Sequence, residues 1–233
     1  MTDINKKPKV LELFSGTHSI GNTASKRGYD VVSVDWDLPA KSSQYDYTSK
    51  FHIKTDILTW DYKSQFKSDE FDLITMSPTC LWWSSLRLCN IGKTLKNGRW
   101  AGKVFTREMA NQDINDFGIP MVDKCLEILS YFNPKHYWIE NPKSGRMKEV
   151  LDDLLPYIDL DYCKFGFDYR KSTRFWTNIV VDPVKCKYDC HATVPFTRRH
   201  IKSCDGGTKG NGTTKLERYR IPEGLINYLL DAI

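Results

Sequence analysis

The sequence predicts an α/β protein with an open, mostly parallel central sheet and helices on both faces. Three observations carry this expectation. Short apolar runs stop at turn signals, stretches with helical spacing separate them, and the runs are nearly continuous rather than alternating, as in strands buried on both sides.

Each element follows from local chemistry. "KVLELF" (9–14) is an apolar run ending at "SGTHSIG", a strand that enters a glycine-bearing turn. "TASKRG" supplies a short helix closed by Gly28, and "YDVVSVDWD" (29–37) is a second strand ending in acids. "FHIKTDI" (51–57), "EFDLITMSP" (70–78) and "KHYWIENP" (135–142) read as further strands. Between the last two, apolar residues at 121, 122, 125, 128, 129 and 132 have helical spacing. "MKEVLDDLLPY" reads as an amphipathic helix, "LDYCKFGF" and "RFWTNIVV" as strand-like runs, and "IPEGLINYLLDAI" as a closing helix that begins after Pro222. These elements divide the chain into a core (1–181), a basic Cys/His-bearing insert (182–216) and a C-terminal helix (217–233). The stretch 81–120 is too long for an ordinary connection and is expected to be functional.

Composition excludes several classes. With 233 residues, 40% of them apolar and 27% charged, the chain can bury a substantial core. No stretch approaches the roughly 18 apolar residues of a membrane helix. The opening "MTDINKKP" lacks the apolar region of a secretory signal, so an intracellular location with reduced cysteines is expected. Seven cysteines, an odd number, then point to catalysis or metal ligation rather than to a disulfide framework. A net charge of +5 allows a nucleic-acid partner without requiring one.

The turn after the first strand suits a nucleotide-like cofactor. Gly16 admits close backbone approach, Asp35, 19 positions on, can accept hydrogen bonds from ribose hydroxyls, and Trp36 can stack on a base. Neither G-x-G-x-x-G nor a GK[ST] loop is present, which favours a cofactor without a pyrophosphate.

"LELFSGTHSIG", "VSVDWD", "TDI", "DLITMSPTC", "WIENP" and "YRKSTRFWTN" follow one another as the successive motifs of the DNA cytosine-5 methyltransferases do. The chain most resembles the small, compact viral and phage versions, over most of residues 9–181 and the tail "ERYRIPEGL". The resemblance implies a Rossmann-like S-adenosylmethionine-dependent methyltransferase fold. It also implies that Phe14, Ser15, Gly16 and Thr17 cradle the methionine end of S-adenosylmethionine, Asp35 the ribose, Trp36 the adenine face, and Asp56 with Ile57 the adenine edge, with Pro78 bordering the same site. Cys80 would be the nucleophile and Glu140 its acid partner.

Carbon 5 of cytosine is too poor a nucleophile to accept a methyl group directly, so a thiolate adds to carbon 6 and makes carbon 5 enamine-like. Glu140 would assist by a proton contact at ring nitrogen 3. A free thiol has a pKa of roughly 8.5, so Cys80 needs help from a helix N-terminus or from a cation such as Arg174. Two departures from the family stand out: Pro-Pro-Cys is Pro78-Thr79-Cys80 here, and Glu-Asn-Val is Glu140-Asn141-Pro142. In the later Gln-x-Arg-x-Arg motif Arg174 matches, while Arg170 and Lys171 are displaced.

A target base inside double-stranded DNA must be flipped out to reach a thiolate. Residues 81–107 interleave cations and aromatics, and Trp82, Trp83, Arg87, Lys96, Arg99 and Lys103 are the expected DNA contacts of a mobile catalytic loop. In the insert, Cys186, Cys190, His200 and Cys204 suit a closed tetrahedral zinc site, and Arg198, Arg199 and Lys202 would make that segment a reduced recognition element. The alternatives are the same chemistry on tRNA, amino-group methylation, in which an aromatic residue stands where Cys80 does, and an inactive nucleic-acid-binding module of the same fold.

Overall fold

The computed structural model describes residues 7–37, 51–205 and 210–233. The first six residues of the polar leader and the glycine-rich stretch 206–209 of the insert lie outside them. Seven strands form one sheet: β1 (Lys9–Leu13), β2 (Asp30–Asp35), β3 (Phe51–Lys54), β4 (Leu73–Met76), β5 (His136–Pro142), β6 (Tyr157–Asp161) and β7 (Ser172–Thr177). Their order is β3-β2-β1-β4-β5-β7-β6, parallel except for β7, which runs antiparallel between β5 and β6. The strand order reverses between β1 and β4, and a crevice outside the carboxyl ends of those strands is where open α/β sheets bind ligands.

Two cores follow from the alternation of side chains along the strands. On one face Leu11, Leu13, Val32, Val34, Ile74 and Met76 meet Trp60, Tyr62, Phe71 and the helix Ile119–Phe132. That helix has the bounds its apolar spacing predicts. On the other face Val10, Val31, Leu73, Trp138 and Phe175 meet two helices, Ser19–Lys26 and Glu223–Leu230. The closing helix thus returns to the sheet, and it begins after Pro222 as its sequence implies. No helix among the described residues is long and apolar enough to cross a membrane.

Three elements differ from expectation. Of the helix expected over 147–157, only Lys148–Leu151 is helical, because Asp152 is drawn off to Arg174 and Trp176 and the chain reaches Pro156. "LDYCKFGF" is strand only as far as Asp161 and then forms a 3-10 turn, Tyr162–Phe165, that ends at Gly166 with φ 103°. The stretch 81–120 is folded rather than open. It contains the short helix Ser85–Leu88, a loop closed by a bridge between Thr94 and Val104, and the helix Arg107–Asp113, which runs through a π-helical turn, Ile114–Gly118, into Ile119–Phe132.

Glu12, buried in β1, accepts hydrogen bonds from the Gly21 backbone N–H (3.0 Å) and the Ser33 hydroxyl (2.7 Å). These bonds seat the helix Ser19–Lys26 on the sheet and fix the turn that precedes it. A Cβ at Gly21 would lie 2.5 Å from Glu12 Oε2. Gly→Ala inside a helix ordinarily stabilises by about 0.5–1 kcal/mol. Here Gly21→Ala is expected to destabilise by about 1–3 kcal/mol, the usual cost of overpacking, read as a lower denaturant midpoint at unchanged m-value.

Candidate active site

The turn after β1 is built around left-handed backbone at Phe14 (φ 57°), Gly16 (φ 47°) and His18 (φ 53°). It is tied to the end of β2 by Ser15 N–H to the Val34 carbonyl (3.2 Å) and by Gly16 N–H to Asp35 Oδ2 (2.8 Å). Asp35 therefore shapes the turn as well as ending its own strand. Ser15 Oγ is buried without a hydrogen-bond partner, and Trp36, which follows Asp35 in the chain, is 78% exposed. An orphaned hydroxyl in a glycine-bearing turn, and an exposed indole one residue beyond the acid that shapes that turn, fit a polar ligand that carries an aromatic ring. Thr17 is buried, and its hydroxyl pairs with that of Ser19. After β3, the exposed Asp56 accepts the Leu58 N–H, and Ile57 is buried in the core.

Cys80 follows β4, whose carboxyl end adjoins those of β1 and β5. Asn141, at the end of β5, donates from Nδ2 to the carbonyl of the buried Pro78 (2.8 Å) and so anchors the loop that carries the cysteine. The Cys80 carbonyl accepts from the N–H groups of Trp83 (3.2 Å) and Ser84 (2.9 Å), closing a tight turn. Thr79, where the family has proline, is exposed, and its hydroxyl accepts the Leu81 N–H (3.4 Å), a local bond that proline lacks the side chain to make.

Glu140 is 6% exposed at the end of β5. Its Oε1 accepts from the Tyr162 hydroxyl (3.0 Å) and faces Lys171 Nζ at 3.5 Å. The Lys171 ammonium also donates to the Arg218 carbonyl (3.2 Å) and lies 4.8 Å from the centre of the Tyr162 ring. Burial pushes the Cys80 thiol above its ordinary pKa, while Lys171 draws it down and Glu140 raises it. Lys171, with a smaller contribution from Arg218, is therefore the cation that favours the Cys80 thiolate.

Arg174 does not take that role. It pairs in register with Asn141, whereas Glu140 is opposite Phe175, so Arg174 projects from the other face of the sheet. There its Nε and Nη2 donate to the two carboxylate oxygens of Asp159 (2.8 and 3.3 Å), and Nη1 pairs with Asp152. The site residues that the sequence motifs did not single out are Tyr162 and Arg218, while Asn141 lies in the Glu140-Asn141-Pro142 motif, which assigns it no role. Tyr162 becomes a neighbour of Glu140, and Arg218 of Lys171, only through folding.

The residues expected to contact DNA separate into two groups. Trp83 is 1% exposed and packs against Gly118, where a Cβ would lie 2.7 Å from the indole, so it is a core residue. Trp82 stacks on Phe117 with ring centres 4.7 Å apart. Arg87 is ion-paired to the fully buried Asp113, and Arg99 pairs with Asp116 (2.6 Å) and Asp113 (3.4 Å). Trp100 also donates to Asp113 (3.0 Å), so one buried carboxylate gathers much of the segment. Lys96 and Lys103 are exposed on the loop bridged by Thr94 and Val104.

The insert likewise differs in detail from its sequence reading. Cys186, Cys190 and His200 converge, but the fourth member is Cys163, from the 3-10 turn after β6. Cys204 stands apart and is electrostatically coupled instead to Lys171, Arg218 and Cys80.

Alkylation of Cys80 requires the thiolate, and removing a nearby cation disfavours it. Lys171→Gln should therefore shift the pH midpoint of Cys80 alkylation upward. Arg174→Gln should leave that midpoint in place and lower stability by about 1–3 kcal/mol, because it removes charged hydrogen bonds to Asp159 and Asp152 while Lys143 (2.8 Å) still pairs with Asp159. Peptide-resolved alkylation rates against pH, with parallel denaturation curves, check both.

No protein-family profile matches the chain. Among curated proteins, it is 36% identical over 233 residues to the probable DNA (cytosine-5)-methyltransferase of Frog virus 3 (isolate Goorha), an alignment covering 96% of this chain and 99% of that one. Similar solved structures include the Dnmt2 methyltransferase of S. pombe, at 21% identity and a TM-score of 0.42, covering 74% of this chain and 49% of that one. The EhMeth methyltransferase of Entamoeba histolytica gives 16% identity and a TM-score of 0.48, covering 78% and 58%. The chain thus spans about half the length of these solved proteins, but nearly all of its viral relative. That alignment, 36% identical over nearly the full length of both chains, shows that the chain belongs to the DNA (cytosine-5)-methyltransferase family, as an S-adenosylmethionine-dependent cytosine-5 methyltransferase.

Proposed function

We propose that the protein methylates carbon 5 of cytosine in double-stranded DNA, through a transient bond from Cys80 to carbon 6 of a flipped-out base. The observation that carries this reading is the placement of Cys80 and Glu140 after and at the carboxyl ends of the neighbouring strands β4 and β5, beside the β1–β4 crevice, with Lys171 paired to Glu140 and its charge acting on Cys80.

The Cys80 thiolate attacks carbon 6, and the electron pair displaced from the ring double bond makes carbon 5 nucleophilic. Glu140 contacts ring nitrogen 3 and supplies the proton that this position gains. Tyr162 and Lys171 hold the carboxyl group in place from two sides. S-adenosylmethionine, when bound, supplies an electrophilic methyl group. Once carbon 5 is substituted, its hydrogen leaves as a proton and the bond between Sγ and carbon 6 breaks, regenerating Cys80.

For the cofactor, Phe14, Ser15, Gly16 and Thr17 would line the methionine end, Asp35 the ribose, Trp36 the adenine face, and Asp56 and Ile57 its edge, with Pro78 beside them. Support comes from the buried, unpartnered Ser15 hydroxyl and the exposed Trp36. The choice of DNA is supported by the name of the viral relative, and a polyanionic nucleic-acid substrate by the exposed cations Lys96 and Lys103.

Cys80→Ser should abolish methyl transfer, and Glu140→Gln should lower kcat by about 10²–10⁴-fold, the usual range for a lost general acid. Labelled methyl transfer to duplex DNA and to tRNA, measured side by side, tests the substrate. Transfer confined to tRNA would overturn the DNA reading. Neutralising Lys96 and Lys103 together should weaken duplex binding and reduce the slope of log affinity against log salt by about 2, whereas an unchanged slope excludes phosphate contacts at these positions.

A further inference from the structure

Beyond the transfer site, a second cluster includes a residue of the same 3-10 turn that carries Tyr162. Cys163 follows Tyr162 and is fully buried, and Cys186 is 4% exposed. The Cys186 backbone N–H is held by Asp161 Oδ2 (2.7 Å), and its Sγ lies 3.5 Å from His200 Nε2. Cys190 is half-buried beside Thr193, which is bridged to His200. The ligand atoms of Cys163, Cys186, Cys190 and His200 all lie within 4.8 Å of one another. A tetrahedral zinc with bonds of about 2.3 Å to sulfur and 2.0–2.1 Å to nitrogen places its ligand atoms roughly 3.5–3.8 Å apart. Modest closure of the cluster would reach that geometry.

The surrounding segment needs such a fixture. Between β7 and the helix Lys215–Tyr219, the described residues form no helix or extended strand, only isolated bridges. Beyond Val184, which packs on the second core, the larger apolar side chains are outside: Phe196 is fully exposed, and Val194 and Ile201 are exposed as well. A segment that buries so little apolar surface is ordered by cross-links or metals where it is ordered at all. Three thiols and one imidazole form the soft donor set of a closed structural zinc site.

We propose that Cys163, Cys186, Cys190 and His200 bind one zinc ion, which clips the insert to the turn bearing Tyr162. Binding converts the three thiols to thiolates, releases their protons to solvent and engages His200 as the neutral imidazole. The clip holds the Tyr162 hydroxyl toward Glu140 from one side, and it presents the 191–199 loop, with Phe196, Arg198 and Arg199 exposed, on the other. Cys204 is not a ligand.

Metal analysis of the full chain produced in zinc-supplemented medium tests this assignment. The expected result is one zinc per chain, retained in Cys204→Ser and Cys89→Ser and lost from Cys163→Ser and His200→Ala, with affinity lowered about tenfold or more. Because Cys163→Ser alters a core position, the unmodified chain is also loaded with cobalt. An intense thiolate-to-metal absorption with the intensity of three thiolates is expected. Absence of zinc together with absence of that band would overturn the proposal, as would a Cys186–Cys190 disulfide in the purified chain. Loss of metal from Cys204→Ser but not from Cys163→Ser would overturn it in favour of a different ligand set.

Discussion

A carboxylate taken out of water must be given partners, and in this protein the partners of Glu140 determine how the catalytic edge is assembled. Leaving such a group buried and unpaired costs several kcal/mol, so its contacts act as constraints on the chain that supplies them. Tyr162 comes from the turn after β6, and Lys171 from the entrance to β7. Lys171 in turn holds the Arg218 carbonyl in the helix Lys215–Tyr219. One acid therefore ties together three segments that are far apart in sequence. The same ammonium that faces Glu140 opposes the effect of burial on Cys80, so positioning the acid and activating the nucleophile depend on a single lysine.

The nucleophile loop is fixed from beneath by different means. Asn141 reaches from β5 to the Pro78 carbonyl, and the Trp83 carbonyl accepts the Arg146 N–H (2.8 Å). The Trp83 indole fills the space left by Gly118 in the π-helical turn. Of the tryptophans directly after Cys80, Trp83 is core and anchors the loop, and Trp82 is stacked on Phe117. Thr79 fits the same logic, since its hydroxyl closes the short turn that a second proline would have set by its ring.

Much of this was legible in the sequence, because the central strands are buried on both faces and therefore read as continuous apolar runs. The helix Ile119–Phe132 was legible to the residue from its spacing. What escaped the sequence was non-local. Nothing in "STRFWT" says that β7 turns back between β5 and β6, yet that reversal sends Arg174 to Asp152 and Asp159 and leaves Lys171 beside Glu140. Asp113 looks like an ordinary helical acid until folding surrounds it with Arg87, Arg99 and Trp100. The spacing of Cys186, Cys190 and His200 pointed to a neighbour in sequence, Cys204, as the fourth member of their cluster. The turn after β6 brings Cys163 there instead.

The account centres on one covalent event: attack by Cys80, and by no other cysteine, on a cytosine ring beside Glu140. Duplex DNA containing 5-fluorocytosine tests it most directly, because fluorine at carbon 5 cannot leave as a cation, and an adduct that has accepted a methyl group is trapped. The account predicts a denaturation-resistant complex that forms only with S-adenosylmethionine present and whose cross-linked peptide, by mass spectrometry, carries the base on Cys80. A complex mapped to Cys204 or another cysteine, or methyl transfer to cytosine with no trapped complex at all, would contradict it.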